Sequence, residues 1–442
     1  MWSLLFLFWM LPVCLAYHIP YTSERPSHDI APIPEGGHWV DTWTSMPQLT
    51  EASNLPPPPY NGSESIFRNA TIRQTLHMSI GAKQIRLRFS NAFGVNDLPI
   101  DAVTVALPYN GSAGVRAIVP RTLKTVTFGG NSSFIVPNGA LVVCDPIDFD
   151  VKPQSMLTVT MYLASGQQGM SITSHPGSRT TSWFAEGNQV SETNLTGSDV
   201  ESAAHWYFVS AVEAWSAPQA GALVVVGDSI TDGRGSTTDA NNRWPDLLLA
   251  KMQKNPATSS IAVVNQAAGG NRILYDGLGP NALGRIDRDV LSQSGVRYAM
   301  TFEGVNDIGV AASDTSNQTA TYERLIAAYE QIILRVHTFG IPIFGATITP
   351  FSAPNSTIQA YSTPLREQTR QKLNAWIRNS GKFDAVVDFD KMLADPNMPS
   401  QLYSEYNSGD YLHPNVAGYQ KLADEFPLVI FGQFAGGVSG YS

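Results

Sequence analysis

The feature that most limits the fold is a change of hydrophobic rhythm near the middle of the 442-residue chain, at 215–221 (WSAPQAG). Before it, apolar residues come in short runs with a period of two, separated by Gly-Gly, Asn-Gly and Pro-rich turns. Runs at 84–91, 102–108, 140–151 and 156–164 read as strands. In the first of these, Ile85, Leu87 and Phe89 share one face, and Arg86 and Arg88 the other. Recurrent short strands without a long helical period predict an all-β, sandwich-like part. The four prolines at 56–59 read as a stiff surface loop within it.

After 221 the rhythm becomes strand, loop, helix, repeated. Strands are predicted at 222–226, 261–265, 298–303, 341–348 and 385–389, mostly as apolar runs with little alternation, as parallel strands covered on both faces require. Helices are predicted at 321–340 and 362–381, each ending in Gly, the second opening with Ser-Thr-Pro. The reading is a doubly wound α/β sheet of about five strands. The predicted organisation is a signal peptide over 1–16, a β-rich part over 17–217 and an α/β part over 218–442.

The signal-peptide expectation rests on residues 1–16 (MWSLLFLFWMLPVCLA), apolar and uncharged, with Cys14 and Ala16 at the positions a signal peptidase reads. The run is shorter than the ~20 residues a membrane anchor needs. The mature chain is therefore expected to be secreted and extracellular. Seven Asn-X-Ser/Thr triplets, at Asn61, Asn69, Asn110, Asn131, Asn194, Asn317 and Asn355, suit a glycosylated secreted protein. Cleavage would leave Cys144 as the single cysteine, so no intramolecular disulfide is expected. Its apolar surroundings read as those of a buried, inert thiol. With 28 Lys and Arg against 37 Asp and Glu, net charge −9 and no long basic run, nucleic acid is an unsuitable partner. No His/Cys cluster has metal-ligand spacing, so neither metal nor cofactor is expected.

In a doubly wound sheet, ligands bind beyond the carboxyl ends of the strands. Those ends here are Gly227-Asp228-Ser229, the loop 265–271 (NQAAGGN), 303–307 (EGVND) and, after the last strand, 409–419 (GDYLHPNVAGY). The first fits neither a phosphate-binding loop nor a dinucleotide fingerprint, and Thr231 replaces the final Gly of a nucleophile elbow. Judged locally, Ser229 reads as a helix cap. Asp410 and His413, three apart and followed by Pro414 in a predicted first helical turn, alter that reading. A carboxylate at this spacing can accept the imidazole Nδ1–H and leave Nε2 free as a base. With Ser229 the set supplies nucleophile, base and orienting acid. Candidate donors to an oxyanion are the Ser229 N–H, the Gly270 N–H and the Asn306 side-chain amide. None of His77, His175, His205 and His337 has a carboxylate at this spacing in a strand-end loop, so packing or surface roles are expected for them.

These stretches resemble the signature blocks of the SGNH (GDSL) hydrolase superfamily. The matches are Gly227-Asp228-Ser229, then Asn265 with Gly270, then Gly304-Val305-Asn306-Asp307, then Asp410 to Pro414, in the family's order. The resemblance implies a three-layer α/β/α, flavodoxin-like fold and ester hydrolysis by Ser229, His413 and Asp410. It also implies an oxyanion hole of Ser229, Gly270 and Asn306. The adjacent glycines of 265–271 leave Gly269 open as the donor in place of Gly270. The runs 243–248, 269–274, 285–291 and 303–309 are similar to secreted acylhydrolases of the arylesterase branch, as are the upstream 41–49, 73–94 and 145–151. The expected substrate is a carboxylic ester with a short acyl group, such as an aryl ester or acetate on plant polysaccharide. The alternatives are a lipase or phospholipase-type acylhydrolase, and a carbohydrate-binding protein with a relic hydrolase unit.

Overall fold

The structure is a computed structural model describing residues 31–439; the expected signal peptide lies outside the described residues. The N-terminal part is strand-rich. One antiparallel sheet runs in the order His38–Thr44, Val209–Ser216, Ala82–Ser90 and Leu141–Val143, with Ile147–Val151 also paired to Ala82–Ser90. A second runs Glu201–Ala203, Ser182–Glu186, Ala70–His77, Met156–Leu163, Ala102–Ala106, Lys124–Thr125. Residues of both sheets, including Leu87, Phe89, Ile72 and Met161, bury their side chains in one apolar cluster.

The run 140–151 is not one strand. It breaks between Val143 and Ile147, because Pro146 has no N–H for the ladder and Asp145 turns away to accept from the N–H groups of Gly129 and Gly130. Cys144 sits in this break, buried, and burial pushes its thiol up to about 12. Ala70–His77 lacks a readable alternation because both edges are paired and its polar side chains have internal partners. Arg73, fully buried, donates to Thr160 and to the carbonyls of Arg116 and Glu192.

The C-terminal part holds a five-stranded parallel sheet of strands Gly221–Gly227, Ile261–Ala267, Val296–Phe302, Ile343–Ala346 and Ala385–Val387. The spatial order is second, first, third, fourth, fifth, with the first strand buried at every residue. This order places a switch point between the first and third strands, where doubly wound sheets bind ligands. Of the two predicted helices, Pro364–Asn379 starts as expected, with Thr363 capping and Pro364 in the first turn. The other, Thr315–His337, begins six residues earlier than its periodicity suggests. Asp314 caps it by accepting from the Asn317 N–H, and its polar first turns carry no apolar stripe to betray them. No helix of the described residues is long and apolar enough to cross a membrane.

The two parts meet along the second strand of the parallel sheet. Thr44 Oγ1 donates to the Asn265 carbonyl at 3.2 Å, and Ser79 Oγ to that of Val263 at 2.8 Å. Buried Asp41 accepts from Arg88 and from the Ser294 N–H. Val40, Ile80 and Ala214 of the strand-rich part join the apolar cluster around the parallel sheet. The contact is both apolar and hydrogen-bonded, which fixes the N-terminal part against the strand ends.

Candidate active site

The first strand ends at Gly227, where a Cβ would lie 2.6 Å from Thr231 Oγ1, so only glycine allows the chain to turn this closely. Asp228, not Ser229, is the cap of the short helix Ser229–Asp232, its carboxylate accepting from the Ile230 N–H at 2.9 Å. Burial pushes the Asp228 carboxyl up to about 7. The local reading of Ser229 as a cap is thus corrected by one residue. With Asp228 capping, the Ser229 hydroxyl is free to turn elsewhere: its Oγ lies 2.7 Å from His413 Nε2.

His413 Nδ1 in turn lies 2.6 Å from Asp410 Oδ2. The other oxygen, Oδ1, accepts from the N–H groups of Leu412 at 3.0 Å and His413 at 2.8 Å, and from the Ser408 hydroxyl. Burial alone would raise the Asp410 pKa, but the hydrogen bonds from His413 outweigh it and hold the carboxyl well below the ordinary range. The helix that follows starts at Val416 with Asn415 as cap, so Pro414 precedes it rather than occupying its first turn. Through this turn, residues only three apart in sequence form a carboxylate–imidazole pair, and the fold delivers it to Ser229.

Gly270 has φ +71°, and a Cβ there would meet Leu278 Cδ1 at 2.6 Å. Gly269 lies beside it with room for a Cβ, the nearest atom being Asp232 Oδ2 at 3.7 Å. Among the described residues neither N–H has a protein acceptor. Asn306 is buried in the helix Val305–Val310 after the third strand. One N–H of its amide donates to the Asn271 carbonyl at 2.9 Å, and its Oδ1 accepts from the Tyr361 hydroxyl at 3.0 Å. These two bonds fix the amide's orientation and leave its second N–H uncommitted.

The supporting hydrogen bonds link the motifs to one another. Asn271 Oδ1 accepts from Arg285, which also donates to the Gln266 carbonyl and to Asp289. Asp307 accepts from the N–H groups of Ile273 and Leu274, and Asn265 Nδ2 donates to the Thr231 carbonyl. Ser229, Gly269, Gly270, Asn306, Tyr361 and His413 line one cleft of about 400 Å³. A larger concavity of about 1510 Å³ lies on the strand-rich part around Arg68, Asn96 and Glu186, but it contains none of these groups. The chemistry therefore places the site in the smaller cleft.

Residues 223–426 match the family model of the GDSL-like lipases and acylhydrolases. Over this stretch, a little under half of the chain, the protein is similar to GDSL-like lipases and acylhydrolases. A search of curated proteins returned no significant match. Among solved structures, an acetyl xylan esterase from Geobacillus stearothermophilus is 22% identical, covering 47% of this chain and 94% of that one, TM-score 0.34. A carbohydrate acetylesterase family member from Sinorhizobium meliloti is 15% identical, covering 48% and 98%, TM-score 0.36. A G-D-S-L family lipolytic protein from Desulfitobacterium hafniense is 19% identical, covering 46% and 95%, TM-score 0.34.

Beside the stretch that matches this family model, the strand-rich part supplies one wall of the cleft through Gln48, Glu51, Asn54, Pro176, Gly177 and Arg179. Sequence reasoning missed this contribution. It also missed His175, whose Nε2 lies 2.9 Å from Asp232 Oδ1 and whose Nδ1 faces the Met46 carbonyl at 3.0 Å. That pair ties the strand-rich part to the short helix carrying Ser229. Gly177 packs on the other Asp232 oxygen so closely that a Cβ would fall 1.6 Å from it. His77 and His337 likewise have carboxylate partners, Asp246 and Asp384, that are distant in sequence and away from the cleft. Tyr361, in a loop with no sequence motif, was not foreseen either. Its only signal was position, since it precedes the helix that packs on the Asn306 helix.

Proposed function

We propose that this chain is a secreted serine esterase that hydrolyses carboxylic esters with short acyl groups, such as aryl acetates and acetate esters on plant polysaccharide. The observation that carries this reading is the unbroken line Ser229 Oγ–His413 Nε2 at 2.7 Å and His413 Nδ1–Asp410 Oδ2 at 2.6 Å. His413 takes the Ser229 proton as Oγ attacks the ester carbonyl, and Asp410 holds the imidazole in the tautomer that leaves Nε2 unprotonated beforehand. The carbonyl oxygen, now negative, is held by the N–H groups of Ser229 and Gly270 and by the Asn306 amide. Gly269 remains the alternative to Gly270. His413 then returns its proton to the departing alcohol. Water, deprotonated by the same imidazole, adds to the acyl-enzyme, and collapse of that adduct releases the acid and restores Ser229.

Short acyl groups fit a cleft of about 400 Å³ whose lining mixes polar side chains with Leu278, Leu412 and Tyr361 as its larger apolar ones. A lipase would need a broader apolar mouth. Secretion with removal of 1–16 and glycosylation belong to the same proposal. Asn61, Asn110, Asn131, Asn317 and Asn355 are exposed, and Asn69 and Asn194 are half-buried. We read the C-terminal part as a three-layer α/β/α unit and the two large antiparallel sheets as a sandwich.

The test compares kcat/KM on para-nitrophenyl acetate, longer acyl esters and acetylated xylan. The expected order favours acetate, with Ser229→Ala losing at least about a thousandfold on every substrate. Near-full activity in the Ser229→Ala protein would sink the reading.

A further inference from the structure

Two guanidinium groups line the cleft without a carboxylate partner. Arg179 comes from the strand-rich part and Arg234 from the turn after the Ser229 helix. Among the described residues neither side chain forms an ion pair or a hydrogen bond, although the protein carries a net charge of −9. Arg179 is half-buried, and its Nε is shielded from solvent with no acceptor. A desolvated cationic donor left unpaired is costly, so such a group is expected to have a counterpart in the bound state.

The position of Arg179 is well determined. Its backbone has φ +49°, in the left-handed region, and is held there from both sides. The Arg179 carbonyl accepts from the Asp239 N–H at 2.9 Å, while the Asp239 carboxylate accepts from both the N–H and the hydroxyl of Thr181. Ser178 Oγ closes the turn by accepting from the Thr180 N–H and donating to its carbonyl. Two carboxylates line the same cleft, and neither pairs with a guanidinium. Glu51 accepts from the Gln48 and Asn54 amides, and Asp232 faces His175 through Oδ1 while its Oδ2, packed against Gly177, is unpartnered among the described residues. Arg179 and Arg234 thus remain as two planar forks, the geometry that pairs with a carboxylate through two parallel hydrogen bonds.

We propose that the cleft takes esters of acidic sugars, in which a uronate carboxylate near the acylated hydroxyl is held by Arg179 and Arg234. The polar side chains of Gln48, Glu51 and Asn54 on the same wall as Arg179 can hydrogen-bond sugar hydroxyls, which the acyl tails of a phospholipid lack. This proposal rests on the esterase reading above and narrows its substrate. It also gives the strand-rich part a role in substrate choice, because Arg179 belongs to that part.

The experiment measures kcat/KM on acetylated oligogalacturonides, acetylated xylo-oligosaccharides, para-nitrophenyl acetate and a short-chain phosphatidylcholine. The expected result is a preference of about tenfold or more for the acidic over the neutral sugar ester, shrinking as salt rises from about 0.05 M to about 0.5 M. Arg179→Gln and Arg234→Gln each reduce that preference by about tenfold, mainly through KM. Arg179→Lys restores part of it, since charge returns without the fork. Equal rates on acidic and neutral sugars, an equal loss on all substrates in the variants, or preference for the phospholipid would overturn the proposal. Should Arg179→Gln fail to fold, Arg234→Gln and the salt dependence of the unaltered protein decide. If the unaltered protein hydrolyses none of the esters, the esterase reading itself has failed, and this proposal with it.

Discussion

Tyr361→Phe removes one hydroxyl and with it the 3.0 Å hydrogen bond to Asn306 Oδ1. If Asn306 serves the oxyanion, that bond acts by keeping the amide from rotating, so that Nδ2 stays on the cleft side while donating to the Asn271 carbonyl. A neutral hydrogen bond contributes about 0.5–1.5 kcal/mol, which sets the expected fall in kcat at roughly 2- to 12-fold. Should the released amide flip outright, the loss approaches that of a missing oxyanion donor, ~3 kcal/mol or about 100-fold. Asn306→Ala alone should cost that larger amount. The discriminating measurement is the double-mutant cycle on para-nitrophenyl acetate. Because Tyr361 is argued to act through Asn306, its loss should cost less than about twofold in the Asn306→Ala background. A Tyr361→Phe penalty of the same size in both backgrounds would refute the reasoning, and so would an effect confined to KM.

Gly270→Ala should destabilise the fold by about 1–2 kcal/mol, since its φ is +71° and a Cβ would strike Leu278, and chemical unfolding would show it. Gly269→Ala should fold normally, the nearest atom to its Cβ being 3.7 Å away; a loss of stability as large as that of Gly270→Ala would contradict this. Glu303, wholly buried, has its carboxyl pushed up to about 8 chiefly by desolvation, with Arg285 pulling the other way. A carboxyl raised in the folded state contributes stability at low pH that is lost as pH rises through the folded value. The melting temperature of Glu303→Gln should therefore gain on that of the unaltered protein between about pH 5 and about pH 9. A pH-independent difference would contradict this.

How much was legible follows from where each signal resides. The parallel strands announced themselves because burial on both faces leaves a pure apolar run, as at Gly221–Gly227. Ala70–His77 did not, because Arg73 and Gln74 are buried with internal partners and break the pattern. That Ser229, Gly270, Asn306 and the Asp410–His413 pair gather at one end of the sheet could be read in advance, because each follows a strand or belongs to a short local turn. The contacts of Tyr361 and His175, and the place of Arg179 at the cleft, could not, since each depends on bringing together segments far apart in sequence. Asp232 and His175 are 57 residues apart, and no local spacing encodes their pairing.

The central claim is that Ser229 is an activated nucleophile, and covalent trapping tests it most directly. Folded protein treated with a fluorophosphonate should gain the mass of one adduct, mapping to the peptide that contains Ser229. Adduct formation should be abolished in Ser229→Ala and slowed strongly in His413→Ala. Absence of an adduct in correctly folded protein, or an adduct on another residue, would contradict the account.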